Sequence, residues 1–177
     1  MSTSSAAPDT VSDSLLQAYT GQVRVRVCGM LIHQGAMLLT AHRGLLAGNA
    51  PFWSPPGGGW QFGETIQECL RREYREETGL EVTVGRFLHL HEFKSDSLQA
   101  LELFFEVKLL NEKATPSLGS DPEHSPDTQL LTELAFLTPR QLGELLPTQV
   151  HPIMRHVISP DDVFIPHILF QQPSSSL

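Results

Sequence analysis

Gly58-Gly59-Trp60-Gln61-Phe62-Gly63-Glu64-Thr65-Ile66-Gln67-Glu68-Cys69-Leu70-Arg71-Arg72-Glu73-Tyr74-Arg75-Glu76-Glu77-Thr78-Gly79-Leu80 is the stretch on which the reading of this chain turns. Its second half predicts a helix over 65–78, with Gly79 as the C-terminal stop. Stepping about 100° per residue from Ile66 puts Cys69, Leu70 and Tyr74 in one apolar sector and Gln67, Glu68, Arg71, Arg72 and Arg75 on a solvated face. Glu73, Glu76 and Glu77 do not join that face; they lie on or beside the apolar sector. Like charges at i,i+4, as Glu73 and Glu77 are, cost a helix about 0.2–0.5 kcal/mol. They also sit in the last turns, where the helix dipole disfavours anions. Three inward carboxylates with no basic neighbour on their face call for a cation. Oxygen-only donors suit a hard ion, Mg²⁺ or Mn²⁺, shared with substrate phosphates. Ahead of the helix, Pro56-Gly57-Gly58-Gly59 reads as a loop whose bare backbone offers carbonyls to a metal and amides to a phosphate.

Gly58, Glu64, Arg72-Glu73, Glu76-Glu77 and Gly79 stand at a spacing that resembles the box of the Nudix hydrolases. Seven such matches by chance have a probability of ~10⁻⁸ per starting position, given ordinary residue frequencies. One position departs mildly, Tyr74 standing where an aliphatic residue is usual. The resemblance implies an α+β Nudix fold, a mixed β-sheet core sandwiched between helices, with the box forming a strand–loop–helix. It implies that Glu73, Glu76 and Glu77, with the carbonyl of Gly57, hold Mg²⁺ or Mn²⁺. Arg72 is then expected to steady the glutamates, with Glu68 and Glu76 as its sequence-local partners, and Glu64 to bond within the loop or help hold a second ion. The implied reaction is hydrolysis of a diphosphate bond in a nucleoside diphosphate linked to another moiety, such as a nucleotide or nucleotide sugar. The metal neutralises the pyrophosphate and orients the attacking water. Gly58, Gly59 and Arg43 are the candidate substrate contacts, and Glu123 the candidate loop carboxylate.

Working outward, the alternation Val23-Arg24-Val25-Arg26-Val27 predicts a half-exposed strand that runs on through Met30-Leu31-Ile32. His33-Gln34-Gly35 turns it into a hairpin with Ala36–Thr40. Further strands are expected at 82–84, 87–91, 101–110 (central, being mostly apolar), 134–137 and 164–170. Thr138-Pro139 opens a helix, and a second short helix is expected around 152–158. One domain is expected over 15–170, flanked by loosely ordered polar ends at 1–14 and 171–177.

The formal charge of −8 on 177 residues excludes general phosphate-backbone binding, which needs clustered Lys and Arg. It also means that a cation, not net charge, must attract an anionic small substrate. No apolar run reaches a membrane span. The N-terminus has no signal-peptide pattern. Cys28 and Cys69 form no metal or disulfide framework. A cytoplasmic enzyme, monomer or homodimer, is therefore expected, with a small nucleotide rather than nucleic acid or membrane as partner. Phe52, Trp53 and Trp60 flank the glycines as base-stacking or core residues. Subgroup marks for a particular substrate are missing: Ser95 and Asp96 stand where ADP-ribose hydrolases carry a proline, and no tyrosine follows Tyr74. The competing readings are a nucleotide-sensing module that does not cleave and an isoprenoid diphosphate isomerase. The intact set of glutamates weighs against the first, and two cysteines that look buried weigh against the second.

Overall fold

A computed structural model describes residues 21–43, 50–95, 98–119, 130–155, 159–165 and 167–169. Strand β1, Val23–His33, is its axis. One end forms the expected hairpin with β2, Ala36–His42, through Gln34 and Gly35. Both turn residues have positive φ (50° and 77°), the geometry that matches the twist of a two-residue hairpin. Along one edge β1 pairs antiparallel with β4, Gly57–Gly59; along the other it pairs parallel with β6, Gln99–Leu109. Strand β6 is interior, as its apolar run predicts, lying between β1 and β5, Val82–Lys94. The two strands expected at 82–84 and 87–91 are one strand with register shifts on either side of Phe87. Short β3, Phe52–Ser54, and β7, Leu131–Leu137, flank β2, and β8, His167–Leu169, runs parallel to β5.

Helix α1, Ile66–Thr78, begins where Thr65 and Glu68 form a reciprocal capping box and ends at Gly79, whose left-handed φ of 68° brings its N–H to the Arg75 carbonyl. It covers one face of the sheet through Cys69, Leu70 and Tyr74, packed with Val27, Leu31 and Leu38. The other face is covered by Leu142 of α2, Pro139–Glu144, and by Ile153, Met154 and Val163 from 3₁₀ turns, against Met30, Leu39 and Phe104. This is the mixed sheet between helices that the sequence leads one to expect. Among the described residues no helix is long and apolar enough to cross a membrane.

Several local expectations differ. The glycine run is a buried strand, not a loop, because β1 supplies its hydrogen-bonding partner. Strand β1 is correspondingly interior, flanked by β4 and β6, and Arg26 is mostly buried rather than solvated. The helix expected around 152–158 is one 3₁₀ turn at Pro152–Met154, with 156–158 outside the described residues. Phe164 belongs to a 3₁₀ turn ahead of β8. The ends 1–14 and 171–177 also lie outside the described residues.

Tyr74 has a structural reason. Its ring lies over Gly29, where any Cβ would overlap it, and its hydroxyl donates to the Gly29 carbonyl at 2.7 Å. The bulk added at one position is therefore matched by a side chain missing at the other.

Candidate functional site

The last three turns of α1 face the glycine strand. Glu73 and Glu77 are buried at 7% and 6% exposure, as their angular positions predict, while Arg71 and Arg75 are exposed. The Glu73 carboxylate lies where a side chain at position 58 would be, so only glycine there leaves it room. Burial pushes the Glu73 carboxyl above the usual range, against the pull of Arg72. Glu77 accepts a hydrogen bond from the Gly57 N–H at 3.0 Å. Gly57 has a φ of 150°, and a Cβ there would strike the Val27 carbonyl.

Arg72 lies among the glutamates, as the resemblance implies, and not on the solvated face where the wheel puts it. Instead of pointing to solvent it folds back, and its Nη1 donates to Glu73 (2.7 Å) and to Glu76 (3.1 Å). Its Nε and Nη2 grip both oxygens of Glu64 at 3.2 and 2.9 Å, and Nη2 also reaches the Gly59 carbonyl. The inward carboxylates thus do have a basic neighbour, since a long guanidinium stem overrides the angle at which its Cα leaves the helix. Glu68 is not among its partners, because that side chain is spent on the helix cap. Glu64 also accepts from the Gln61 N–H. Burial pushes its carboxyl up, but Arg72 and that amide prevail and hold it below the usual range.

Behind β4 lies a second polar group that sequence reasoning missed. Arg26 Nη2 donates to the Gly57 carbonyl at 2.8 Å, and Nη1 to Glu102 Oε1 at 2.9 Å. Glu102 Oε2 is shared by His91 Nδ1 and His151 Nε2, each at 2.8 Å. One signal was available: Glu102 is an acid set between two leucines in a mostly apolar run, and a buried carboxylate needs partners. His91, Glu102 and His151 are all buried, and their candidate ligand atoms lie within 4.8 Å of one another, close enough for a metal ion. The hydrogen bonds argue otherwise. Ile153 N–H donates to His151 Nδ1, so Nε2 carries the proton and donates to Glu102 rather than binding metal.

Burial alone would push the Glu102 carboxyl up, yet His151, His91 and Arg26 hold it well below its ordinary value of 4.5. The folded protein therefore binds this proton less readily than the unfolded chain. Its stabilising contribution is complete above the unfolded carboxylate's pKa and is lost as pH falls from there toward the folded value. Melts of Glu102→Gln should accordingly lie below wild type at pH 7 but converge on it below pH 4.5, the ordinary carboxyl value. Parallel melt–pH curves would refute this assignment.

Other expected site residues fall elsewhere. Gly58 and Gly59 sit in strand register with Val27 and Arg26, so they give the site a flat edge rather than an open phosphate cradle. Arg43 is exposed just past β2, with its N–H on the Leu130 carbonyl. Glu123 lies outside the described residues. Trp53 is a core residue and Phe52 packs edge-on to His151, whereas Trp60 is 43% exposed and donates to the Glu64 carbonyl. Both cysteines are free and buried, and burial pushes the Cys28 thiol up to about 12.

With this geometry in place, comparison with known proteins gives it a context. The NUDIX domain family matches residues 22–159. Over 65 residues the chain is 45% identical to the nucleoside triphosphatase NudI of Enterobacter sp. (strain 638), covering 34% of this chain and 44% of that protein. The chain thus aligns with under half the length of the curated relatives it matches. Among solved structures, a NUDIX hydrolase from Nitrosomonas europaea aligns with a TM-score of 0.58 at 19% identity, over 75% of this chain and 84% of that one. An ADP-ribose pyrophosphatase from Streptococcus suis aligns with a TM-score of 0.53 at 14% identity, over 84% and 98%. These likenesses are of fold. A family match spanning most of the chain, on a box whose acids are buried against glycine, means that this chain belongs to the Nudix family.

Proposed function

We propose that the chain is a metal-dependent pyrophosphohydrolase that cleaves a diphosphate bond in a small nucleotide derivative, acting in the cytoplasm as a monomer or homodimer. The observation that carries this reading is the burial of Glu73 and Glu77 against the glycine edge, with Glu73 raised in pKa. Two anions are kept out of water where the helix dipole opposes them, an arrangement that a divalent ion would offset. The donor set fits Mg²⁺ or Mn²⁺: Glu73, Glu76 and Glu77, all carboxylates, with the carbonyl of Gly57, the residue whose N–H meets Glu77. The ion would supply charge neutralisation of the pyrophosphate and activation of water.

The chain's own residues do the rest. Gly57 N–H fixes the Glu77 carboxylate, and Arg72 sets the spacing of Glu73 and Glu76 from one nitrogen. Gly58 and Gly59 keep the edge free of side chains, so a phosphate can approach the carboxylates closely. Arg43 completes the proposed substrate contacts, and Glu123 is the proposed loop carboxylate. A nucleotide-sensing module is the alternative, and the complete carboxylate set favours cleavage over sensing.

Mg²⁺ or Mn²⁺ titrated through the millimolar range should raise the melting temperature, because a ligand bound only by the folded state stabilises it by mass action. No shift, with or without a nucleoside diphosphate present, would count against the site. Hydrolysis of a panel of nucleoside triphosphates, nucleotide sugars and dinucleotides with Mg²⁺, read as released phosphate or monophosphate, identifies the substrate class. A protein that binds these compounds and cleaves none of them is a sensor.

A further inference from the structure

We propose that Arg26 is a positioning residue for the glycine edge: anchored from behind by Glu102, His91 and His151, it holds the Gly57 carbonyl where that oxygen can serve the divalent ion. This rests on the reading of Gly57 and the three box glutamates as the ion's ligands. Gly57 has no side chain to restrain it, yet both peptide groups around it are tied. Its N–H is held by Glu77 and its carbonyl by Arg26. Arg26 and Glu102 are register partners in the parallel β1–β6 pair, so the sheet itself places the guanidinium beside the carboxylate.

A planar guanidinium fork can hold two acceptors on different elements at once, which a lysine ammonium on a shorter stem cannot reproduce. Here Nη1 takes Glu102 and Nη2 takes Gly57, while Nε is buried without a hydrogen bond, so the grip lies in those two contacts. Both imidazoles on Glu102 Oε2 keep the carboxylate from turning. Pairing with Glu102 also neutralises Arg26, so the charge beside the glycine edge does not repel a divalent ion as a bare guanidinium would. A merely structural polar cluster would need no link to Gly57.

The test is Mn²⁺ binding to the full chain without substrate, read from the free-ion electron paramagnetic resonance signal, for wild type, Arg26→Lys and Glu77→Gln. Arg26→Lys keeps the charge and loses the fork. Its Mn²⁺ Kd should rise about tenfold, the usual size of a loss behind a metal ligand. Its activity should fall at limiting Mg²⁺ and recover when Mg²⁺ is raised, which a generally loosened fold would not do. A Kd within about twofold of wild type in folded Arg26→Lys, beside a lost site in Glu77→Gln, overturns the role of Arg26 and leaves the parent reading standing. Wild type that binds no Mn²⁺ defeats the parent reading and this one with it. If Arg26→Lys does not fold, wild type decides: bound Mn²⁺ should broaden the nuclear magnetic resonance signals of the Gly57 amide and the Arg26 guanidinium together. Broadening of Gly57 alone overturns the proposal.

Discussion

Glu77→Gln should leave the metal-free fold as stable as wild type, or slightly more so, while hydrolysis falls by at least about two orders of magnitude. The amide retains an oxygen to accept the Gly57 N–H, so the local bond survives. What it loses is a negative charge that the helix C-terminus disfavours and that Glu73 repels. Glu68→Gln is the matching control. That residue is exposed and caps the helix through Thr65, a task glutamine also performs, so activity should stay near wild type. Metal-free melts beside initial rates with Mg²⁺ decide the matter. Near-wild-type turnover in Glu77→Gln, or an equal loss in Glu68→Gln, means the metal face has been assigned to the wrong side of α1.

Arg72→Met should cost both stability and activity. The side chain is 24% exposed and touches Glu64, Glu73, Glu76 and the Gly59 carbonyl. Removing it strands carboxylates that are themselves mostly buried. Breaking such a network costs about 2–3 kcal/mol at neutral pH, after allowance for its partial exposure. For a domain of this size the melt should drop by about 5–10 °C. Activity should fall by about 10–100-fold, because the carboxylate spacing loosens. Arg72→Lys should recover little, since a single ammonium cannot engage three glutamates and a carbonyl. Added Mg²⁺ should narrow the melting gap, because an ion on Glu73 and Glu76 replaces the missing charge. A variant that melts with wild type would show that Arg72 is not the hub.

The parts of this design legible in the sequence are those governed by short range. Helix α1 was bounded correctly because Gly79 is a local stop, and the burial of Glu73 and Glu77 followed from angle alone. Strand β4 was not legible, since three glycines have no strand preference of their own and pair only because β1 is there. The glutamate partners of Arg72 follow from the resemblance and not from the wheel, which locates a Cα and not the far end of a long stem. Arg26 looked solvated in an alternating strand. Its partner Glu102 lies 76 residues away, and no local pattern announces a parallel pairing of that span.

That same span sets an order of events as the chain is made. Strands β1 and β4 are close in sequence, and Arg26 is only 31 residues from Gly57, so the hairpin, the glycine edge and α1 can meet before β6 has been made. Strand β6 emerges later, and with it Glu102; His151 comes later still. Domains condense when their non-local strands arrive, and pairings over long separations are the slow ones. A chain halted before residue 99 would therefore carry every residue of the box without the strand that supplies Glu102 to Arg26. Until β6 slots in beside β1, Arg26 lacks its Glu102 partner and β1 has an open edge. The arrival of that one strand closes the edge and gives the arginine its carboxylate, which His151 then helps to hold.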